Sequence, residues 1–162
     1  MVLALICSPW FLHAQEISRQ PLFKIERSKN ANIVQYDAQV DADGNLLKKK
    51  PVIAYWVRLA EEGQVEELSW IQRQFIYGFN AQFDRSGETV QLDMKADVGR
   101  EIAVVRDGGV YRATLMIDGS LSYFEKMFID ASRKGWKITV YYVELYGVDV
   151  RTGEARYEKF TP

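Results

Sequence analysis

Apolar and polar residues alternate with a period of two along much of the chain. Val34, Tyr36, Ala38 and Val40 alternate with Gln35, Asp37, Gln39 and Asp41. Phe79, Ala81 and Phe83 keep the same rhythm, and so do Val90, Leu92 and Met94. A strand points successive side chains to opposite faces, so these segments read as strands with one buried face. Residues 52–57, opened by Pro51, are apolar on both sides and predict a central strand covered on both faces. Residues 102–105 and 110–117 flank Asp107-Gly108-Gly109, which predicts a hairpin. Lys134-Gly135 and Arg151-Thr152-Gly153 predict two more, the second leading into residues 154–160. One segment departs from this rhythm. Leu68, Ile71 and Phe75 recur at helical spacing with Gly78 placed as a stop, which predicts one amphipathic helix over 66–77. Residues 123–131 fit either period, and the hairpin signal that follows favours a strand. Turn signals at Gly78, Gly87, Gly99, Gly108 and Gly119 recur at the spacing of short strands. The expected fold is mostly β: an antiparallel β-sandwich or partly closed barrel with one helix.

The N-terminus changes the picture. Residues 1–14 hold no Asp, Glu, Lys or Arg, and their apolar run is shorter than the roughly 20 residues of a bilayer span. The segment reads as a secretory signal cleaved after Ala14, although a basic start is missing and Leu12 is large for its position before the cut. The alternative is an N-terminal strand. Cys7 does not read as a lipidation site, because Ile6 stands where a small residue is expected. Residues 15–162 then form a single domain, periplasmic or secreted, without a transmembrane segment. That length suits one domain with a sizeable core.

Cys7 and His13 are the only cysteine and histidine of the 162 residues, and both leave with the signal. The mature chain then has no imidazole base, no thiolate nucleophile and no preferred ligand for structural zinc. A Gly-rich phosphate loop, a dinucleotide fingerprint and a nucleophile elbow are also missing from the sequence. The expectation is therefore no metal and no cofactor. A net charge of −1 gives no footprint for nucleic acid. Carboxylate chemistry and binding without catalysis remain.

Glu144 is the candidate catalytic carboxylate. It shares a strand face with Ile138, Val140, Tyr142 and Tyr146, and burial there would raise its pKa. A structural ion pair or tyrosine hydrogen bond is the competing and stronger reading, with Arg27 or Arg58 as partner. Glu26, Asp37 and Asp93 sit on faces that look solvated, so no second carboxylate pairs with it as glycosidase chemistry requires. The polar stretch Arg27-Ser28-Lys29-Asn30-Ala31-Asn32 clusters cationic and amide donors suited to anions or carbonyls. Polar turns also occur for backbone reasons alone. Trp56, Trp70 and Tyr146 offer aromatic surface for a ligand, although core filling is the default for Trp56. Asp41-Ala42-Asp43-Gly44-Asn45 reads as a turn, since Lys50 stands where a calcium loop needs glutamate. Lys48-Lys49-Lys50 reads as a solvated edge that discourages strand aggregation, with an anion-binding patch as the other possibility.

Several of these residues together resemble a bacterial family. They are Phe23, Ile25, the Arg27–Asn32 stretch, Val34 and Tyr36; then Pro51-Val52, Tyr55-Trp56 and Tyr77-Gly78; then Val143-Glu144-Leu145-Tyr146-Gly147 with Thr152-Gly153. In combination they resemble the family called domain of unknown function 4833, small exported single-domain proteins, over about residues 22–160. The resemblance carries no activity. The expected function is a non-catalytic binding module for a small or extended ligand, or an envelope component, with contacts from Arg27, Lys29, Asn30, Asn32, Trp56, Trp70 and Tyr146. The alternatives are a carboxylate-dependent hydrolase using Glu144 and a structural protein of the envelope. A shared site requires Glu144 and the Arg27–Asn32 turn to meet in one cleft.

Overall fold

The computed structural model describes residues 17–28, 30–95, 99–134 and 137–162, with backbone alone at 30, 133 and 137. Cys7, His13, Lys29 and Trp136 lie outside the described residues. The strands are β1 (Ser18–Arg27), β2 (Asn30–Val40), β3 (Val52–Arg58), β4 (Gln64–Glu67), β5 (Phe79–Phe83), β6 (Val90–Met94), β7 (Ile102–Asp107), β8 (Val110–Ile117), β9 (Ser120–Lys134), β10 (Lys137–Asp149) and β11 (Ala155–Phe160). One helix, α1 (Trp70–Phe75), lies between β4 and β5. The strands form one sheet curled into an open half-barrel.

Strand β9 organises the molecule. One of its edges pairs with β10 along most of its length. Its other edge is shared: residues 120–123 pair with β8 and residues 126–129 pair with β1. Two lobes therefore fan out from the same edge, β1-β2-β3-β4 and β8-β7-β6-β5. The β1–β9 pair is parallel, and every other strand pair is antiparallel. Between the two shared stretches Glu125 is an extra residue, because Tyr146 and Gly147 face Lys126 and Phe124 across the ladder. This bulge resets the alternation of side chains. Phe124 and Met127 both turn inward, each 1% exposed.

The core lies between the lobes. The ring of Phe23 stacks on Tyr36 at 4.4 Å and meets Phe124 at 4.8 Å, so β1, β2 and β9 share one aromatic cluster. Val34, Tyr36, Ala38 and Val40 are all buried, as are Val90, Leu92 and Met94. The buried Tyr36 hydroxyl donates to the Tyr77 carbonyl at 2.7 Å, which satisfies a group that would be costly to leave unpaired. Two of the three expected hairpins form around Gly108-Gly109, whose φ values of +56° and +89° fit a tight two-residue turn, and around Arg151-Thr152-Gly153; the turn expected at Lys134-Gly135 reaches Gly135, outside the described residues. In the second turn Asp149 accepts from the backbone N–H groups of Thr152 and Arg151, and Arg156 adds an ion pair. These donors hold its carboxyl down at about 2. Residues 123–131 are strand, within β9.

The helix differs from expectation. Glu66 and Glu67 belong to β4, and the helix covers only Trp70–Phe75. Ser69 sets its start: the side chain accepts from the Gln72 N–H while the Gln72 side chain accepts from the Ser69 N–H. Leu68 is buried ahead of the helix, whereas Ile71 and Phe75 are exposed. The helical spacing is therefore real but no apolar stripe packs inward. The segment is anchored by the buried Leu68 and Tyr77 on either side and carries the chain from the edge strand of one lobe, β4, to the edge strand of the other, β5. Strand β3 is an interior strand, flanked by β2 and by the edge strand β4. Val52, Ile53 and Trp56 are buried on it, while Tyr55 and Val57 are half-buried.

Candidate functional site

The structure separates the residues that the sequence grouped. Arg27 and Trp56 meet at the end of the core where β1 turns into β2. The Arg27 guanidinium lies 5.1 Å from the Trp56 ring and 5.2 Å from the Tyr77 ring. Trp56 donates its indole N–H to the Gln72 side chain at 3.2 Å. Among the described residues Arg27 has no carboxylate partner, so ring faces hold the cation. Tyr77 is 2% exposed, and burial raises its pKa to about 12. Asn32 is half-buried at this end of β2, and Asn30 pairs with Arg27 through the backbone. Lys29 lies outside the described residues. Ser28 ties the turn to β9: its N–H donates to the Ile129 carbonyl and its Oγ accepts from the Ala131 N–H. Much of the Arg27–Asn32 signature is thus an anchor for the turn.

Trp70 is not part of this cluster. It stands on α1, 64% exposed, with its ring edge-on to Phe75.

Glu144 and Tyr146 sit on the other face of the sheet. Their neighbours Val143 and Leu145 point into the core, so the even-numbered residues of this stretch point out. Glu144 accepts from Tyr146 at 2.8 Å and Tyr157 at 3.0 Å, and pairs with Lys159 at 3.4 Å. Lys159 lies over Tyr142, and Lys126 lies over Tyr146 while pairing with Glu26. The cation beside Glu144 is therefore Lys159. Arg27 faces the core, and Arg58 pairs with Glu61 and Glu66. Glu144 and the Arg27–Asn32 turn do not share a cleft.

The expected rise in the Glu144 pKa is reversed. Hydrogen bonds from Tyr146 and Tyr157, and Lys159 beside it, lower the pKa against a weaker opposing effect of burial. The same bond raises Tyr146 to about 12. Such a carboxylate holds no proton to donate at neutral pH. Its folded pKa lies below the ordinary 4.5, so it adds stability that is complete above that value and lost as pH falls through the folded pKa. Glu144→Gln should thus be less stable than wild type at neutral pH, and the gap should close in acid. Urea melts of both proteins from pH 7 to pH 3 check this. A gap that stays constant over that range would exclude the assignment.

A second carboxylate also departs from expectation. Asp37 is 3% exposed rather than solvated, and accepts from Tyr55 and from Gln35. Burial, with the bond to Asp37, pushes Tyr55 up to about 12.

A groove opens at the far end of β2 from Arg27. It has a volume of about 1050 Å³ and runs between the β2–β3 loop, the β5–β6 turn and the β7–β8 hairpin. Leu46, Leu47, Val105 and Tyr111 supply apolar lining, and Lys48, Lys49, Lys50 and Arg106 supply charge. Lys48 straps the two lobes together, donating to the Gly87 carbonyl at 3.2 Å with its ammonium over the Phe83 ring. Gln39 fixes the loop: its side chain donates to the Lys50 carbonyl, and its backbone bonds Leu47 and Pro51. The lysine run is therefore a groove wall on a braced loop, not the guard of a sheet edge. Asp41, also on the wall, accepts from the N–H groups of Asp43 and Asn45, as a turn residue does. Among the described residues no group of three or more His, Cys, Asp or Glu could hold a metal, and no helix is long and apolar enough to cross a membrane.

Sequence reasoning noticed the lysine run but missed Arg106 and Tyr111. They lie more than fifty residues away in the chain and reach the groove only because the lobes face one another.

The family model for a domain of unknown function (DUF4833) matches residues 23–159. The chain belongs to that family. No curated protein and no solved structure matches it.

Proposed function

We propose that this member of the DUF4833 family is a non-catalytic binding module of the cell envelope. It is exported by residues 1–14 and holds a small or extended ligand in the groove between its lobes. The observation that carries this reading is the groove itself: about 1050 Å³, with apolar lining and polar groups converging on one opening. That combination is the usual form of a ligand site. Bracing of the loop by Gln39 and Lys48 supports it, because a wall held in place loses little freedom when a ligand binds.

Native mass spectrometry of the exported protein tests the proposal. The expected result is a chain beginning at Gln15 that carries a bound small molecule, or whose melting temperature rises with a compound from lipid, sugar or peptide libraries. Leu47→Trp, which fills the apolar part of the groove, should weaken that binding about tenfold. No bound mass and no thermal shift across the libraries would overturn the reading.

A further inference from the structure

We infer that the groove recognises a multiply anionic headgroup, phosphate in kind, joined to a short apolar portion. The inference rests on the groove reading above and names its ligand class.

The first argument is charge. Lys48, Lys49, Lys50 and Arg106 line one opening, against Asp41 and Glu88. Among the described residues none of the four cations forms an ion pair. Elsewhere pairing is common: Arg58 with Glu61 and Glu66, Arg100 with Glu158, Arg156 with Asp149, Lys159 with Glu144. Like charges gathered in one place repel each other, and an anion placed among them removes that repulsion. The chain as a whole is nearly neutral, so this gathering is local.

The second argument is placement. Lys49 and Lys50 stand on the wall contributed by the β1–β4 lobe, and Arg106 on the wall contributed by the β5–β8 lobe. Arg106 reaches towards the lysine loop, since a Cβ added to Gly44 would lie 3.5 Å from its Nη2. An anion between the walls would meet cations from both sides, and a guanidinium can donate two parallel hydrogen bonds to phosphate oxygens. Lys48 is already committed to the Gly87 carbonyl and the Phe83 ring, which leaves Lys49, Lys50 and Arg106 as the ligand-facing cations, with the Arg106 guanidinium resting 5.9 Å from the Tyr111 ring of the same wall.

The third argument is the lining. Leu47 and Val105 border the same groove half-buried, backed by the core residues Leu46 and Tyr111. A free inorganic ion would leave that apolar surface wet, whereas an amphiphile covers it.

The test uses the full mature chain and the triple variant Lys49→Gln, Lys50→Gln, Arg106→Gln. Lys48 is kept because it joins the lobes. Titration calorimetry is run with short-chain phosphatidic acid as a soluble source, short-chain phosphatidylcholine as the zwitterionic control, and inorganic phosphate. Co-sedimentation with vesicles of phosphatidylcholine containing phosphatidic acid, and with vesicles of phosphatidylcholine alone, tests a bilayer source. Wild type should bind soluble phosphatidic acid or the vesicle that contains it, and neither zwitterionic control. The arm that binds identifies the source. The triple variant should bind about a hundredfold more weakly, taking each cation near an anionic lipid at its usual worth. The charge-keeping variant Lys49→Arg, Lys50→Arg, Arg106→Lys should retain binding, which separates lost charge from lost folding. Binding of inorganic phosphate alone, equal binding of the zwitterionic lipid, or undiminished binding by the triple variant would overturn the inference. The broader groove reading has its own outcome. If a neutral molecule co-purifies and is lost in Leu47→Trp but kept in the triple variant, the groove stands and the anionic class falls.

Discussion

Gly78→Ala and Gly147→Ala should each destabilise the protein by about 3 kcal/mol or more, with Gly78 the worse of the two. Neither glycine has positive φ, so conformational freedom is not their role. What both lack is room. A Cβ on Gly78 would lie 1.5 Å from the Arg73 carbonyl oxygen, inside the turn that ends α1. A Cβ on Gly147 would lie 2.3 Å from the Tyr123 carbonyl oxygen and 2.9 Å from Ile117 Cδ1. In both cases the nearest atom is backbone, which cannot swing aside like a side-chain tip. Gly147 also faces Phe124 beside the Glu125 bulge, so relieving its clash disturbs the point where β9 changes partner from β8 to β1. Urea denaturation measures both variants. Wild-type stability in either would mean that the close approach is wrong. The two positions belong to the Tyr77-Gly78 and Tyr146-Gly147 pairs of the family pattern, and this gives those pairs a packing reason.

Phe124→Ala should cost about 3–5 kcal/mol, the usual range for emptying a buried phenylalanine site. Phe124 is 1% exposed and meets Phe23 where the two lobes join. The cavity has little chance to collapse, because both lobes are hydrogen-bonded to β9 on either side of it. Phe128, four residues along the same strand, is the control. It is half-buried on the outer face beside Tyr142, and its loss should cost about 1 kcal/mol. Equal costs for the two would show that the fork is not where the core is concentrated.

The strands with one buried face were legible because their spacing repeats locally. Val34 to Val40 and Val90 to Met94 carry the period of a strand whatever their neighbours are. The helix was half legible. Ser69, Gln72 and Gly78 mark its ends through local capping and close packing, but Ile71 and Phe75 could not show whether their face would be covered. The candidate site was least legible. Arg27 and Glu144 stand on strands that run beside β9, and a single step in register decides which face each one takes. Glu26 joins the outer cluster with Lys126, while Arg27, the next residue, turns to the aromatic rings of the core.

The sequence by itself determined a mostly β chain, its hairpin turns, its family, and the absence of cysteine and histidine after residue 13. Each of these is written in residue types or in spacings of a few positions. Only the tertiary structure decided that β9 is shared by two lobes, that β1 joins it in parallel, and that Lys49, Lys50 and Arg106 face one groove. Those relations join residues far apart in the chain. They are set by which edges pair and by the bulge at Glu125, and local spacing encodes neither.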